Sequence, residues 1–426
     1  MVVPAAAVVD RYQRRVQSSD YPKWREQVEA IGGCTHPVRM TGSWAVEHAE
    51  TGQLLAHRSG HVMVPCGNRR ESVCAACSDR YAADAFHLLR AGLSGGTKGV
   101  PEHVAERPRV LLTLTAPSFG PVRPDGQARN PETYDYTGHV LFNAHAGKLW
   151  HRFVTYLRRH LARAAGLRVR EFGDHARLSY AKVAEYQRRG AIHFHAVIRL
   201  DGPEGASGQP PSWATADLLT DAIHAAHAQV KVTAPEIDGQ ARDLSWGRQL
   251  DVRPIKPANA PDFEDDQGQI TEDRLSSYVA KYATKGTGKS EAADRPIRSE
   301  AHIEQLKVNE HYKRIMRTAW ELGGRQECDA LNLRRWCHML AFRGHFLSKS
   351  KAYSTTFKQI RGDRRRFRLE EALAELGVTE DSVTVINHWD MTSVGHRTPE
   401  EREIAEGIAQ RRRQLRQQRH ADERKD

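Results

Sequence analysis

The sequence has no long apolar run, and hydrophobic residues make up only 39% of its 426 positions. No window approaches the ~18 consecutive apolar residues that a membrane-spanning helix requires, which excludes an integral membrane protein. Residues 1–9 are apolar but carry no basic leader, so we expect a protein that is not secreted and acts in the cytoplasm. No Gly-x4-Gly-Lys-Ser/Thr phosphate-binding loop occurs either. A fused ATP-driven helicase is therefore not expected.

Lysine is scarce among the cationic residues. Of 64 Lys and Arg residues only 15 are Lys, which leaves 64 − 15 = 49 Arg, against 53 Asp and Glu. The formal net charge is 64 − 53 = +11. This positive excess points to a polyanionic partner, of which nucleic acid is the first candidate. At about 100–200 residues per domain, the length predicts two or three domains.

Cysteine is also rare, and four of the six lie in the first 80 residues: Cys34, Cys66, Cys74 and Cys77. A Cys-x2-Cys turn lets two thiolates bind one ion, and tetrahedral zinc takes four nitrogen or sulfur ligands. We therefore predict a structural zinc site of these four residues, with His36 and His61 as substitute ligands. The alternatives are two disulfides, which a chain that is not secreted disfavours, and buried thiols without metal. The remaining pair, Cys328 and Cys337, is predicted to lie in the core.

The apolar patterns predict a central antiparallel sheet. Strands are expected at residues 110–115, 178–187 and 191–200, with helices over 138–165 and 213–228. This order of elements is typical of an α+β domain with helices packed on the sheet. The predicted regions are an irregular zinc-binding segment with short strands, 1–105, a central domain, 106–290, and a mostly helical basic region with a charged tail, 291–426.

A His-x-His pattern lies in the second strand of a predicted hairpin. Successive side chains in a strand point to opposite faces, so His193 and His195 share one face and Phe194 lies on the other. If residues 188–190 form a three-residue turn, Glu185 lies opposite His193 on the same face. Two imidazoles and a carboxylate then form a metal site with positions open for water and substrate.

Alternatives to this metal site remain open from the sequence. A two-residue turn would shift the strand register by one and point Glu185 away, which leaves Tyr186 or Gln187 to complete the site. A His-x-His pair can also arise by chance among 22 histidines. Two histidines and one carboxylate occur in non-haem iron oxygenases as well. The ligand set alone therefore does not specify a reaction.

A second pattern supplies a candidate nucleophile. A helix predicted to begin near Thr271 has two tyrosines and two lysines at four-residue spacing, so each pair shares a helix face: Tyr278 and Tyr282, Lys281 and Lys285. A phenol, with a pKa of ~10, is a poor nucleophile until a cation or metal assists its deprotonation. A neighbouring lysine can do this or can hold a phosphate. The alternative is an amphipathic helix with its tyrosines inside and its lysines outside.

Together the two patterns resemble those of the HUH endonucleases, specifically the rolling-circle replication initiators. The sequence around and beyond these two patterns is most similar to that of the RepSA-type initiators of actinobacterial plasmids and integrative conjugative elements. The strand at 112–115 resembles the first motif of the HUH family. The resemblance extends over about residues 30–390 and rests on residues 66–70, 112–120, 189–195, 278–285 and 343–350.

The resemblance implies a metal-dependent nickase on an HUH domain with a ferredoxin/RRM-like antiparallel sheet. It implies Mg²⁺ or Mn²⁺ held by His193 and His195, with Glu185 as the third ligand. Tyr278 or Tyr282 would attack the scissile phosphate, which leaves a 5′-phosphotyrosine and a free 3′-OH primer, and the other tyrosine would later rejoin the strand. A neighbouring lysine would assist. The implied partners are single-stranded or supercoiled origin DNA, a host helicase and a host DNA polymerase.

Basic segments at 334–368 and 411–419 are candidates for contact with origin DNA. The predicted DNA-binding residues are Arg334, Arg335, Lys349, Arg364, Arg365 and Arg366. Trp336 and Phe367 are candidates for stacking on bases. The alternative is that these segments are solvated helix faces, and this is the preferred interpretation of the 411–419 tail.

Three competing functions follow from the same residues. An HUH transposase or a conjugative relaxase would share the chemistry, although relaxases usually place the tyrosine ahead of the histidines, whereas here it follows them. A non-catalytic, zinc-bearing DNA-binding regulator would use none of this nicking chemistry.

Overall fold

The structure, a computed structural model of the chain, describes residues 5–255 and 296–422. The chain forms two compact units: unit 1 comprises Met1–Asp84 and Phe357–Asp426, and unit 2 comprises Ala85–Thr356. Both contain helices and an antiparallel sheet, which confirms the predicted mixture of elements. This division differs from the three consecutive regions predicted from the sequence, because unit 1 contains both the first and the last part of the chain. The functions assigned to the three regions stay predictions. Every helix in the described ranges is too short or too polar to cross a bilayer.

Unit 1 is built on a three-stranded antiparallel sheet. Its elements are α1 (Ala5–Gln17), α2 (Tyr21–Ala30), β1 (Val38–His48), β2 (Leu54–Val64), the first part of α3 (Ala75–Ser94), α10 (Phe357–Glu375), β10 (Val383–Val394) and α11 (Pro399–Asp422). The strand order is β10-β1-β2. β1 pairs with β10 along its whole length, from Val38 opposite Val394 to His48 opposite Val383. The sheet therefore joins the two ends of the chain.

Unit 1 corrects one expectation from the sequence, since the first region is not irregular with short strands: β1 and β2 have 11 residues each. The described part of the last region is mostly helical, as predicted, and also contains the 12-residue strand β10. Most side chains of β1 and β2 are partly exposed on both faces. The alternation of apolar and polar residues that marks a half-buried strand is therefore weak here. Pairing of β1 with β10 spans nearly the full chain, and no local pattern signals it.

Unit 2 is built on a five-stranded antiparallel sheet with the strand order β8-β3-β5-β4-β9. Its elements after α3 are β3 (Arg109–Leu114), α4 (Tyr136–Ala164), α5 (Phe172–His175), β4 (Arg177–Tyr186), β5 (Ile192–Asp201), α6 (Ala216–Gln229), β6 (Val232–Thr233), β7 (Asp243–Leu244), β8 (Leu250–Pro254), α7 (Glu300–Glu304), α8 (Glu310–Leu322), α9 (Leu333–Trp336) and β9 (Leu347–Lys349). The predicted strands correspond to β3, β4 and β5, and the two predicted helices to α4 and α6. These predictions are confirmed.

One face of the five-stranded sheet packs on α4. Asp135 caps this helix by accepting a hydrogen bond from the N–H of Gly138. Trp150 of α4 packs edge-on against Phe194 of β5, with ring centroids 6.0 Å apart, and Phe194 is fully buried. Because side chains alternate along a strand, the burial of Phe194 under α4 turns His193 and His195 to the opposite face.

A buried ionic cluster fixes the far end of β5 on that opposite face. Asp201 is fully buried and accepts hydrogen bonds from Arg199 at 2.7 Å and from Arg107 at 2.9 Å. Arg199 also donates to the carbonyl of Gly92 near the end of α3. Removing one partner of a buried ion pair destabilises the folded protein, because the other charge is left uncompensated. The cluster therefore holds β5 at its end, while the two histidines lie near its beginning.

Candidate functional site

The turn between β4 and β5 has three residues, 188–190. A backbone hydrogen bond of 2.9 Å from Gln187 to Ala191 closes it, and Gly190 has a φ of +81°. Three-residue hairpin loops need this left-handed conformation at their last position. A Cβ on Gly190 would meet the side chains of Leu340 and Ile315 at 3.0 and 3.1 Å. Both the conformation and the close packing favour glycine here.

The turn length decides the strand register. Glu185 lies directly opposite His193, as the three-residue turn predicts. Tyr186 is buried on the other face, and its hydroxyl donates to the carbonyl of Met339. The structure therefore brings Glu185 beside the two histidines in the register of a three-residue turn, and Tyr186 does not take its place. The role of these residues as metal ligands stays a prediction.

A buried asparagine on α4 holds the start of β5. The Nδ2 of Asn143 donates to the carbonyls of Gly190, at 3.0 Å, and Leu340, at 2.9 Å, while its Oδ1 accepts from the N–H of Ile192 at 2.9 Å. Asn143 is fully buried. Its side chain thereby fixes the backbone immediately before His193 and contributes to the rigidity of the site.

Three donor groups converge on this face of the sheet. The Oε2 of Glu185 lies 3.1 Å from Nε2 of His193 and 3.5 Å from Nε2 of His195, and one ligand atom from each residue lies within 4.8 Å of the others. Two donors at right angles on Mg²⁺, each at about 2.1 Å, would lie about 3.0 Å apart. The side chains of Glu185 and His193 are 12% and 17% exposed, which leaves an approach from solvent. The three residues therefore fit a divalent cation.

Thr113 of β3 orients the deeper histidine. It lies opposite His195 in the sheet, and its Oγ1 is 3.1 Å from Nδ1 of His195. When Nδ1 carries the proton and donates it to this hydroxyl, Nε2 is left as an acceptor facing Glu185. Burial lowers the pKa of His195 below its ordinary value, with Glu185 acting against this shift. The imidazole therefore stays neutral near pH 7, as a metal ligand must.

An acidic residue that the sequence interpretation missed lies on the same face. Asp251 of β8 is directly opposite Thr113, and residues opposite each other in an antiparallel pair share a face. Its carboxylate accepts a hydrogen bond from Nε of Arg253 at 3.0 Å. No local pattern marks Asp251, because its relation to His195 depends on two long-range strand pairings.

The predicted nucleophile motif lies outside the described residues. It comprises Tyr278, Tyr282, Lys281 and Lys285, in the interval between residues 255 and 296. The roles of these four residues stay predictions.

The four clustered cysteines meet in unit 1, as predicted. Their sulfur atoms all lie within 4.8 Å of one another, and Sγ of Cys34 is 3.7 Å from that of Cys74 and 3.6 Å from that of Cys77. Ligands of a tetrahedral zinc–thiolate centre, with Zn–S of about 2.3 Å, are about 3.8 Å apart. All six cysteines are free, which contradicts the disulfide alternative, and the remaining two are buried in the core of unit 2 as predicted: Cys328 and Cys337.

Two of the four sulfur atoms accept hydrogen bonds from the backbone. The N–H of Cys66 donates to Sγ of Cys34 at 3.3 Å, and the N–H of Asn68 donates to Sγ of Cys66 at 3.4 Å. The hydrogen bond with Cys34 lowers the pKa of Cys74 and lowers that of Cys66 to about 7, whereas the pKa values of Cys34 and Cys77 are raised, that of Cys34 first by its hydrogen bond with Cys66. The donor set and its spacing fit a structural zinc ion. The proposed substitute ligand His36 instead pairs its Nδ1 with Oγ1 of Thr35 at 3.0 Å.

The six predicted DNA-binding residues are divided between the units. Three of them have partners within the protein: Nε of Arg334 donates to the carbonyl of Trp320, Nζ of Lys349 to that of Ser354, and Arg364 forms an ion pair with Asp84. The other three are exposed at the surface: Arg335, Arg365 and Arg366.

We expect replacement of Thr113 by valine to weaken Mn²⁺ binding about 10–100-fold, the usual cost of removing a partner that orients a metal ligand. Valine is of similar shape but cannot accept the proton of Nδ1 on His195. Thr113→Ser keeps the hydroxyl and is expected to bind Mn²⁺ like the wild type. Titration followed by the EPR signal of free Mn²⁺ measures both affinities. Equal affinities of the valine variant and the wild type would contradict this role of Thr113.

The chain is similar to known replication initiator proteins. The family model described as "Replication initiator protein, pSAM2" (RepSA) matches residues 20–125 and 123–410. A replication initiator protein from Streptomyces ambofaciens is 43% identical over 432 residues, which cover 93% of this chain and 91% of the relative. No solved structure matches the chain. Since the match extends over most of both proteins, the chain belongs to the RepSA family of replication initiator proteins.

Proposed function

We propose that this protein starts rolling-circle replication by nicking one strand of origin DNA with a tyrosine nucleophile. The observation that carries the proposal is the convergence of Glu185, His193 and His195 on one accessible sheet face. Membership of a replication initiator family supports DNA at an origin as the substrate. The central unit is then an HUH endonuclease domain.

The proposed chemistry assigns each group of residues one task. Glu185, His193 and His195 hold a Mg²⁺ or Mn²⁺ ion, which when bound supplies Lewis-acid polarisation of the scissile phosphate. The phenol oxygen of Tyr278 or Tyr282 forms a bond to phosphorus and loses its proton. The bond from phosphorus to the 3′ oxygen breaks, and that oxygen leaves as a 3′-OH after taking up a proton.

The product of this step explains why the chain needs no phosphate-binding loop. The 5′-phosphotyrosine conserves the phosphodiester bond, so that the strand can be rejoined without ATP when the second tyrosine takes part. Lys281 or Lys285 assists the phenol or neutralises the phosphate. The 3′-OH primes a host polymerase, and strand separation is left to a host helicase.

Replication initiation is favoured over the competing functions. A transposase or relaxase would share the nicking residues, but the family match is to replication initiators. A non-catalytic DNA-binding regulator would have no need of the ordered Thr113–His195 contact or of the Glu185 register. We propose that the cysteine cluster is a structural zinc site whichever of these functions is correct. It lies in unit 1 and shares no residue with the cluster of Glu185, His193 and His195.

The proposal predicts a covalent protein–DNA product. Supercoiled origin plasmid or a single-stranded origin oligonucleotide, incubated with the protein and Mn²⁺, should be nicked and should leave a DNA adduct that peptide mapping places on Tyr278 or Tyr282. Tyr278→Phe and Tyr282→Phe remove only the hydroxyl, so the double variant should give no adduct and a loss of nicking. Nicking without an adduct on either tyrosine would refute the mechanism.

A further inference from the structure

A cleft in unit 1 is lined by residues of α3, α10 and α11 and has a volume of about 450 Å³. Six of its lining residues are arginines: Arg80, Arg364, Arg368, Arg412, Arg416 and Arg419. None of the described residues that line it is acidic, and none is aromatic. We refer to it as the arginine cleft.

The arginines of the cleft form stripes at helical spacing. On α11, Arg412, Arg416 and Arg419 follow each other at i, i+4 and i+7, and on α10 Arg364 and Arg368 are four residues apart, so each set occupies one helix face. On α3, Arg80 lines the cleft together with two alanines, whose small side chains leave the space open. Three cationic helix faces therefore converge on one concavity.

Several of these guanidinium groups are held in place by hydrogen bonds to acceptors within the protein. Asp84, which is fully buried, accepts a hydrogen bond from Arg364 at 2.6 Å, and Asp79 accepts one from Arg416 at 2.8 Å. Arg412 donates to the backbone carbonyl of Glu29. Side chains that are already ordered lose less entropy when they bind a ligand. The arrangement is that of a prepared anion site.

Two further arginines of the cleft remain available for a ligand. Arg368 and Arg419 are exposed, and within the described part of the chain they have no hydrogen-bond or ion-pair partner. Arg364 and Arg416 are already neutralised by carboxylates of the protein, so the remaining arginines supply the positive charge that attracts an external anion. A guanidinium offers paired N–H donors that match the oxygens of a phosphate.

We propose that the arginine cleft binds consecutive backbone phosphates of duplex DNA. The α11 stripe spans 419 − 412 = 7 residues, about 10 Å of helix, which is long enough for its arginines to reach more than one phosphate of a strand. Single strands are usually held by stacking on aromatic side chains, and the lining offers none. The tail at 411–419 then forms part of a DNA-binding surface, and the cleft anchors the duplex without reading its sequence.

This inference rests on the proposed function, and its test uses two double variants with the same loss of charge. Arg368→Ala/Arg419→Ala removes two arginines of the cleft that hold no structural contact. Arg58→Ala/Arg402→Ala removes two exposed arginines of unit 1 that do not line it and are not among the predicted DNA-binding residues. Binding of full-length protein to a random-sequence duplex is measured by fluorescence anisotropy from 50 to 200 mM salt. Each lost phosphate contact should reduce the slope of log K against log[salt] by about 0.9.

We expect the slope to fall by about 1.8 for the cleft variant and to stay at the wild-type value for the matched control. Equal losses in both variants, or wild-type binding by the cleft variant, would overturn the proposal. Tighter binding to duplex RNA than to duplex DNA would overturn the assignment to DNA. Nicking of a single-stranded origin oligonucleotide is measured in parallel. Absence of nicking by the wild-type protein would refute the proposed function. Weaker duplex binding by the cleft variant with unchanged nicking would support the proposed role of the arginine cleft, independently of the nicking mechanism.

Discussion

Replacing both His193 and His195 by alanine is expected to reduce origin nicking at least about 10³-fold. Lewis-acid stabilisation of a phosphoryl transition state is worth several kcal/mol, and each 1.36 kcal/mol is tenfold in rate. The double variant leaves only Glu185 of the three donor groups, which is too few to retain a divalent cation. Nicking rates of the oligonucleotide at saturating Mn²⁺ measure the effect, and EPR of free Mn²⁺ reports whether binding is lost with it.

The control for this prediction removes two histidines that lie elsewhere in unit 2. His151 and His224 are exposed on helices, and His151→Ala/His224→Ala should nick and bind Mn²⁺ like the wild type. Binding of duplex DNA should remain unchanged in both variants, since neither pair lines the arginine cleft. Nicking within about tenfold of the wild type by the His193/His195 variant would contradict the proposed role of the site.

The site could be predicted from the sequence wherever its geometry is local. The alternation of a strand places His193 and His195 on one face, and a short turn brings Glu185 opposite them once its length is known. Gly190, which favours the left-handed conformation at the end of the turn, is the local signal for the three-residue length. These inferences required only contacts within about ten residues.

The parts that escaped prediction depend on long-range pairing. Thr113 reaches Nδ1 of His195 because β3 pairs with β5, and Asp251 joins that face because β8 pairs with β3. Many alternative pairings satisfy the same local patterns, so neither contact follows from the residues alone. The β1–β10 ladder was missed for the same reason. By contrast, the cysteine cluster was recognisable because few arrangements other than a shared ion bring four scarce thiols together.

The second large effect is expected at that cluster. Replacing Cys74 and Cys77 by serine should reduce the zinc content from about one ion per chain to near zero, because two of the four sulfur ligands are removed. Structural zinc contributes about 10–16 kcal/mol in small zinc domains, whereas whole domains are stable by only about 5–15 kcal/mol. Unit 1 of the variant should therefore lose its cooperative unfolding transition. Metal analysis and thermal unfolding measure both effects.

The matched control, Cys328→Ala/Cys337→Ala, removes two buried thiols of unit 2 and should keep its zinc. Folded, metal-free wild-type protein would contradict the assignment of a structural ion.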